Sequence, residues 1–210
     1  MYGISTRRWY GGLVGLASIL SRAAAQSDGV IREITTTTAG GRLQDGVMFD
    51  VEVIVGYGNS TAVDPTAGVP NGITVMGMGI LTPSEDSVCV EIYSKSGSHE
   101  GFESDSAAWT FLGSVSVVGQ GRDTLTPIPV GSFDFGDATF VPVGGKRSFY
   151  VTTQDQSMRY TAYPDGSQPT GSLFISQTIP LGITTSERSV ASELNVNIYT
   201  GVATDYAFGA

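Results

Sequence analysis

The chain has a single histidine, His99, and it stands in a dense run of polar side chains, His99-Glu100-Gly101-Phe102-Glu103-Ser104-Asp105. Two carboxylates flanking a bound sugar can act as acid and base on a glycosidic bond, so Glu100 or Glu103 working with Glu91 defines one candidate chemistry, glycan cleavage. In a chain with 20 acids, however, three close together are expected from composition, and a solvated loop between strands is the better account of them. A hydrolytic Ser-His-Asp set would have to use His99, and no Gly-x-Ser-x-Gly elbow leads into a helix. One histidine and one cysteine, Cys89, cannot build a multi-histidine zinc or iron centre or a thiolate cluster. Cys89 lies within the apolar run Val88-Cys89-Val90, which predicts a buried, inert thiol. Asp123, Asp134 and Asp137 are hard oxygen donors in turn-rich sequence and are the calcium candidates; turn aspartates bonding their own backbone explain them without an ion. No cofactor is otherwise expected.

A binding role draws on different residues. Phe102, Trp109 and Tyr163 are aromatics that would stack on sugar rings if they surfaced together with His99, Glu100 and Glu103, although strand aromatics, Trp109 above all, commonly fill the space between sheets. Arg159 and Lys95 read as surface charges balancing nearby acids. Asn59-Ser60-Thr61 is an N-glycosylation sequon in a turn-rich stretch, so Asn59 would carry a glycan if the chain is exported from a eukaryotic cell.

Period-two alternation positions these residues. Residues 47–55 alternate Val47, Phe49, Val51, Val53 and Val55 with Met48, Asp50, Glu52 and Ile54, a strand with one buried face and its acids turned to water. Residues 73–80, 88–95 and 109–118 follow as strands, the last bent at Gly113. Shorter candidates are 132–135, 139–143, 147–153, 158–163, 171–179 and 195–200, with Gly144-Gly145 as a hairpin loop. Turn signals roughly every ten residues predict an all-β fold, an antiparallel two-layer β-sandwich whose topology, jelly-roll or immunoglobulin-like, stays open.

The chain of 210 residues fits one domain. Arg7-Arg8, an apolar stretch over 11–20 and Ala23-Ala24-Ala25 read as a signal peptide at 1–25, cleaved before Gln26. Ten apolar residues are too few to span a bilayer, so no membrane anchor is expected after cleavage. Residues 26–45 then form a lead-in, 46–201 the sandwich and 202–210 a tail. Formal charge is -9, and residues 1–25 hold three arginines and no acids, so the remainder sets eight cations against twenty acids. Such a surface repels nucleic-acid backbones and anionic lipid.

Three blocks carry a family resemblance: Gly46-Val47-Met48-Phe49-Asp50-Val51, then Val90 to Glu103 with Trp109, and Ser148-Phe149-Tyr150-Val151-Thr152-Thr153. Arg159-Tyr160-Thr161 and Asn197-Ile198-Tyr199 complete it. Together they resemble an uncharacterised extracellular domain family of diatoms, related stramenopiles and some bacteria, over residues 46–201. The chain lacks that family's aromatic and Trp-Asn-Gly segment before the last strand. The resemblance implies a secreted or cell-surface module and brings no activity. The leading expectation is therefore a non-catalytic interaction or structural module meeting an extracellular glycan or protein through the loops at 56–72 and 96–106. A carbohydrate-binding module is the second reading and the glutamate-pair enzyme the third.

Overall fold

The structure, a computed structural model, describes residues 16–22, 31–34, 42–54, 72–129, 131–133, 137–153, 155, 157–160, 189–193 and 196–204. Among them are thirteen strands, a single 3-10 turn and no α-helix. The strands are β1 (Leu16–Arg22), β2 (Ile31–Ile34), β3 (Arg42–Gln44), β4 (Gly46–Val53), β5 (Gly72–Ile80), β6 (Ser87–Ser96), β7 (Thr110–Val118), β8 (Thr126–Ile128), β9 (Phe140–Pro142), β10 (Lys146–Thr153), β11 (Met158–Tyr160), β12 (Ser189–Glu193) and β13 (Val196–Thr204). They form a six-stranded sheet in the order β12-β13-β4-β10-β6-β7 and a second sheet in the order β2-β1-β5-β8, to which β9 adds by pairing with β5. β3 and β11 make a small two-stranded ribbon. Every ladder between these strands is antiparallel.

Alternation in sequence becomes layering in space. Phe49 and Phe149 are opposite one another across β4 and β10, both fully buried, with ring centroids 5.7 Å apart. Around them Val47, Val51, Val53, Val90, Ile92 and Val151 from the six-stranded sheet meet Ile73, Val75, Met78 and Ile80 of β5. A core of this kind, drawn from the inward parity of both sheets, is the main stabilising term of a sandwich.

Two sequence expectations change here, at 132–135 and at Gly144-Gly145. Residues 131–133 form a turn, not the start of a strand over 132–135. Gly144-Gly145 does not close a hairpin: β9 pairs with β5 while β10 pairs with β4 and β6, so the chain changes sheets at this corner. The lead-in at 26–45 contributes β2 and β3, each hydrogen-bonded to a partner strand. Residues 16–22, within the stretch read as a signal peptide, lie as β1 between β2 and β5. The candidate strand at 171–179, Asn59, Asp134, Tyr163 and all of the loop at 56–72 but Gly72 fall outside the described residues.

Candidate functional site

The outer face of the six-stranded sheet holds the polar cluster. Directly opposite residues in antiparallel ladders share a face. One row across the sheet therefore runs Tyr199, Asp50, Ser148, Lys95, and the next runs Met48, Tyr150, Tyr93, Phe111. Asp50 has the outward parity the alternation assigned to it, yet it is 2% exposed. The expectation that it faces water is corrected: the segment after β6 folds back over this part of the sheet and closes it from solvent.

That segment is fastened to Asp50. The Ser98 hydroxyl lies 2.6 Å from Oδ2, and the His99 backbone N–H donates to Oδ1 at 3.0 Å. The His99 ring Nδ1 is 2.7 Å from the same Oδ1 and carries the proton, since an ionised carboxylate only accepts. Ser148 Oγ is 2.6 Å from Oδ1 and 2.7 Å from the Gly97 carbonyl, so its proton serves one of these at a time. Burial pushes the Asp50 carboxyl up, but the hydrogen bond and charge of His99, together with the Ser148 and Ser98 hydroxyls, outweigh it and hold the group below its ordinary value of 3.8. Gly97 begins the turn at φ +80°, a left-handed conformation that suits glycine, and donates its N–H to the Lys146 carbonyl at 2.9 Å.

The rest of the segment is anchored through Trp109. Its indole N–H donates to the Phe102 carbonyl at 2.9 Å, and its ring meets Tyr150 edge-on at 6.0 Å between centroids. Trp109 is 7% exposed, so little of its ring reaches the surface. It also lies outside the inter-sheet core, packing with Met48 and Tyr150 on the other side of the sheet. The Asp105 side chain accepts from the Ala107 N–H at 3.2 Å and caps the 3-10 turn Ser106–Ala108 that leads into β7. The Lys95 ammonium donates to the Ser98 carbonyl at 2.7 Å and sits 4.0 Å from the Phe102 ring centroid.

His99 is 4% exposed, and its ring is a structural partner of Asp50. Glu100 and Phe102 are exposed, and Glu103 is half-buried. Glu91 lies farther along β6 and accepts from the Tyr93 hydroxyl at 2.9 Å. Burial, with the hydrogen bond and charge of Glu91 and then Tyr150, pushes the Tyr93 phenol up to about 12. Cys89 is exposed rather than buried, because Val88, Val90 and Ile92 take the inward parity of β6 and leave Cys89 the outward one. Arg159 is 6% exposed, against its reading as a surface charge; it donates to the Arg122 carbonyl and lies 3.6 Å from the exposed Asp123. Asp137 is exposed, and its charge acts on the half-buried Arg147, whose pKa burial lowers. Among the described residues no three His, Cys, Asp or Glu side chains come together as a metal-ligand set.

Sequence reasoning missed Asp50 and Ser148 as the partners of His99, and Phe111 as an exposed aromatic. Phe111 is 53% exposed, with its ring 5.1 Å from Tyr93, while Phe102 is 41% exposed. Asp50, Ser98, His99 and Ser148 come from three stretches far apart in the sequence and meet only in this cluster. Fold and site together define an antiparallel β-sandwich in which a buried acid–histidine cluster pins a surface segment to the outer face of one sheet. Compared with known protein families, curated proteins and solved structures, the chain matches none.

Proposed function

We infer that this protein is a non-catalytic, extracellular interaction module that meets its ligand with the pinned segment 97–105 and the adjoining outer face of β6 and β7. The observation that carries the reading is the exposure of Phe102 and Phe111 beside side chains that are otherwise held in place. Phe102 rides on a segment fixed by Asp50 and Trp109, and Phe111 rests on the stack of Tyr93 on Tyr150. Aromatics presented on a pre-ordered surface bind with less conformational cost than those on a loose loop. The polar cluster supports the non-catalytic half of the reading: both serine hydroxyls approach Asp50, and His99 Nδ1 is engaged by the same carboxylate. Export is supported by the leader-like residues 1–25 and by the family resemblance.

A neutral glycan is the second reading. Phe111 shares the outer face with Glu91, Ser114 and Ser116, a ring beside acceptors and hydroxyls of the sort that hold a sugar. The test is a glycan array probed with the purified chain, with and without a calcium chelator, alongside capture of extracellular proteins from the source organism's medium. Binding that Phe102→Ala together with Phe111→Ala reduces at least ~10-fold, with an unchanged circular-dichroism spectrum, supports the reading. Binding indifferent to both substitutions overturns the assigned face.

A further inference from the structure

Among the described residues β7 is an edge: it pairs with β6 on one side, no described strand pairs with its other side, and there the Gln120 side-chain amide donates to the Val118 carbonyl at 3.1 Å. Open edges invite pairing with another chain, and proteins blunt them by shortening the strand or by placing charge or proline along it. The other outer strands follow that rule. β2 has Arg32 and Glu33, β8 has Pro127, β9 has Pro142, β12 has Glu193, and β3 and β11 carry Arg42 and Arg159; none is longer than five residues. β7 departs from it, with nine residues, Thr-Phe-Leu-Gly-Ser-Val-Ser-Val-Val, that include neither charge nor proline. Two large exposed hydrophobics, Phe111 and Val118, lie near its two ends.

The pattern along β7 is also self-complementary. Its ladder with β6 pairs Tyr93 with Phe111 and Ile92 with Gly113, so Leu112 and Gly113 together occupy one inward position as a bulge. Gly113 sits there at φ +151°. Counted this way, Phe111, Ser114, Ser116 and Val118 face outward, and Leu112-Gly113, Val115 and Val117 face inward. Reversing the strand about Val115 sets Phe111 against Val118, Ser114 against Ser116, and Leu112 against Val117, with every pair on a matching face.

We propose that two copies of this chain pair through β7 in an antiparallel, two-fold arrangement centred on Val115, so that one sheet runs through both. An isologous contact requires a surface complementary to itself, and the reversed pattern meets that requirement. The occupant is a second copy because apolar meets apolar and hydroxyl meets hydroxyl, and because a seam without charge lets two molecules of net charge -9 approach there. The pairing would also bring two copies of the outer face side by side, which adds avidity toward a repeating ligand.

Sedimentation of the purified chain across the micromolar range tests this. The wild type is expected to dimerise. Ser114→Lys with Ser116→Lys, at exposed positions, places lysine against lysine twice and raises the dimer Kd at least ~10-fold. The double glutamate variant does the same, and mixing the lysine and glutamate proteins restores a mixed dimer. A wild type that stays monomeric overturns the proposal, as does a dimer whose Kd the lysines leave unchanged. If the variants do not fold, amide exchange on the wild type decides: protection of residues 110–118 must rise with protein concentration, and a dimer without that rise overturns the seam.

Discussion

At Asp50 a single carboxylate gathers Ser98, Ser148 and two donors from His99, so its removal strands several buried polar groups at once. Asp50→Asn keeps the shape but turns an amide toward groups that donate, and it should cost about 3 kcal/mol of stability, read from the urea midpoint. The pH dependence has a definite sign. The folded-state pKa lies below the ordinary 3.8, so the ionised group stabilises the fold above that value, and its contribution fades as pH falls from there through the folded pKa. The variant should therefore show a flatter loss of stability on acidification than the wild type. Cys89 gives a second measurement: an exposed thiol should react fully with a thiol-specific reagent in native buffer. Partial reaction before denaturant is added would contradict its outward placement.

The segment from Gly97 to Trp109 behaves as an element although most of it is irregular. Its ends are continuous with β6 and β7, and its middle is held by Asp50 at one point and by the Trp109 indole at another. Trp109→Phe preserves an aromatic against Tyr150 but leaves the Phe102 carbonyl without its indole donor, a loss of about 1 kcal/mol. The local signature is faster exchange of the Phe102 and Asp105 amides, which close the turns of this segment, with the amides of β4 and β10 unchanged. The long strands were legible from alternation: β4, β5, β6, β7 and β10 each lie within a few residues of the expected bounds. Among the short strands β9 and β11 fall within the expected 139–143 and 158–163, but β3 and β8 were not foreseen. β8 spans three residues around a proline, and β3 three residues with one apolar side chain, so neither offers a period to read.

For the molecule as a whole, export is the expectation with the plainest test. Intact mass of the secreted protein should place the mature N-terminus at Gln26, and a chain retaining residues 1–25 would contradict the leader reading. Cleavage there would also remove β1 from beside β5, so the β5 amides should exchange faster in the mature chain than in the full-length one. By itself the sequence determined the layered all-β architecture, the inward set of Val, Ile and Phe, and the acidic surface, because a period of two and net charge are local properties of the chain. Tertiary structure alone decided that Asp50 is buried, that His99 is its partner, and that Phe111 is left exposed. Parity states only which face of a sheet a side chain takes. Whether that face meets water depends on a segment some fifty residues away folding over it, and no local pattern encodes that distance.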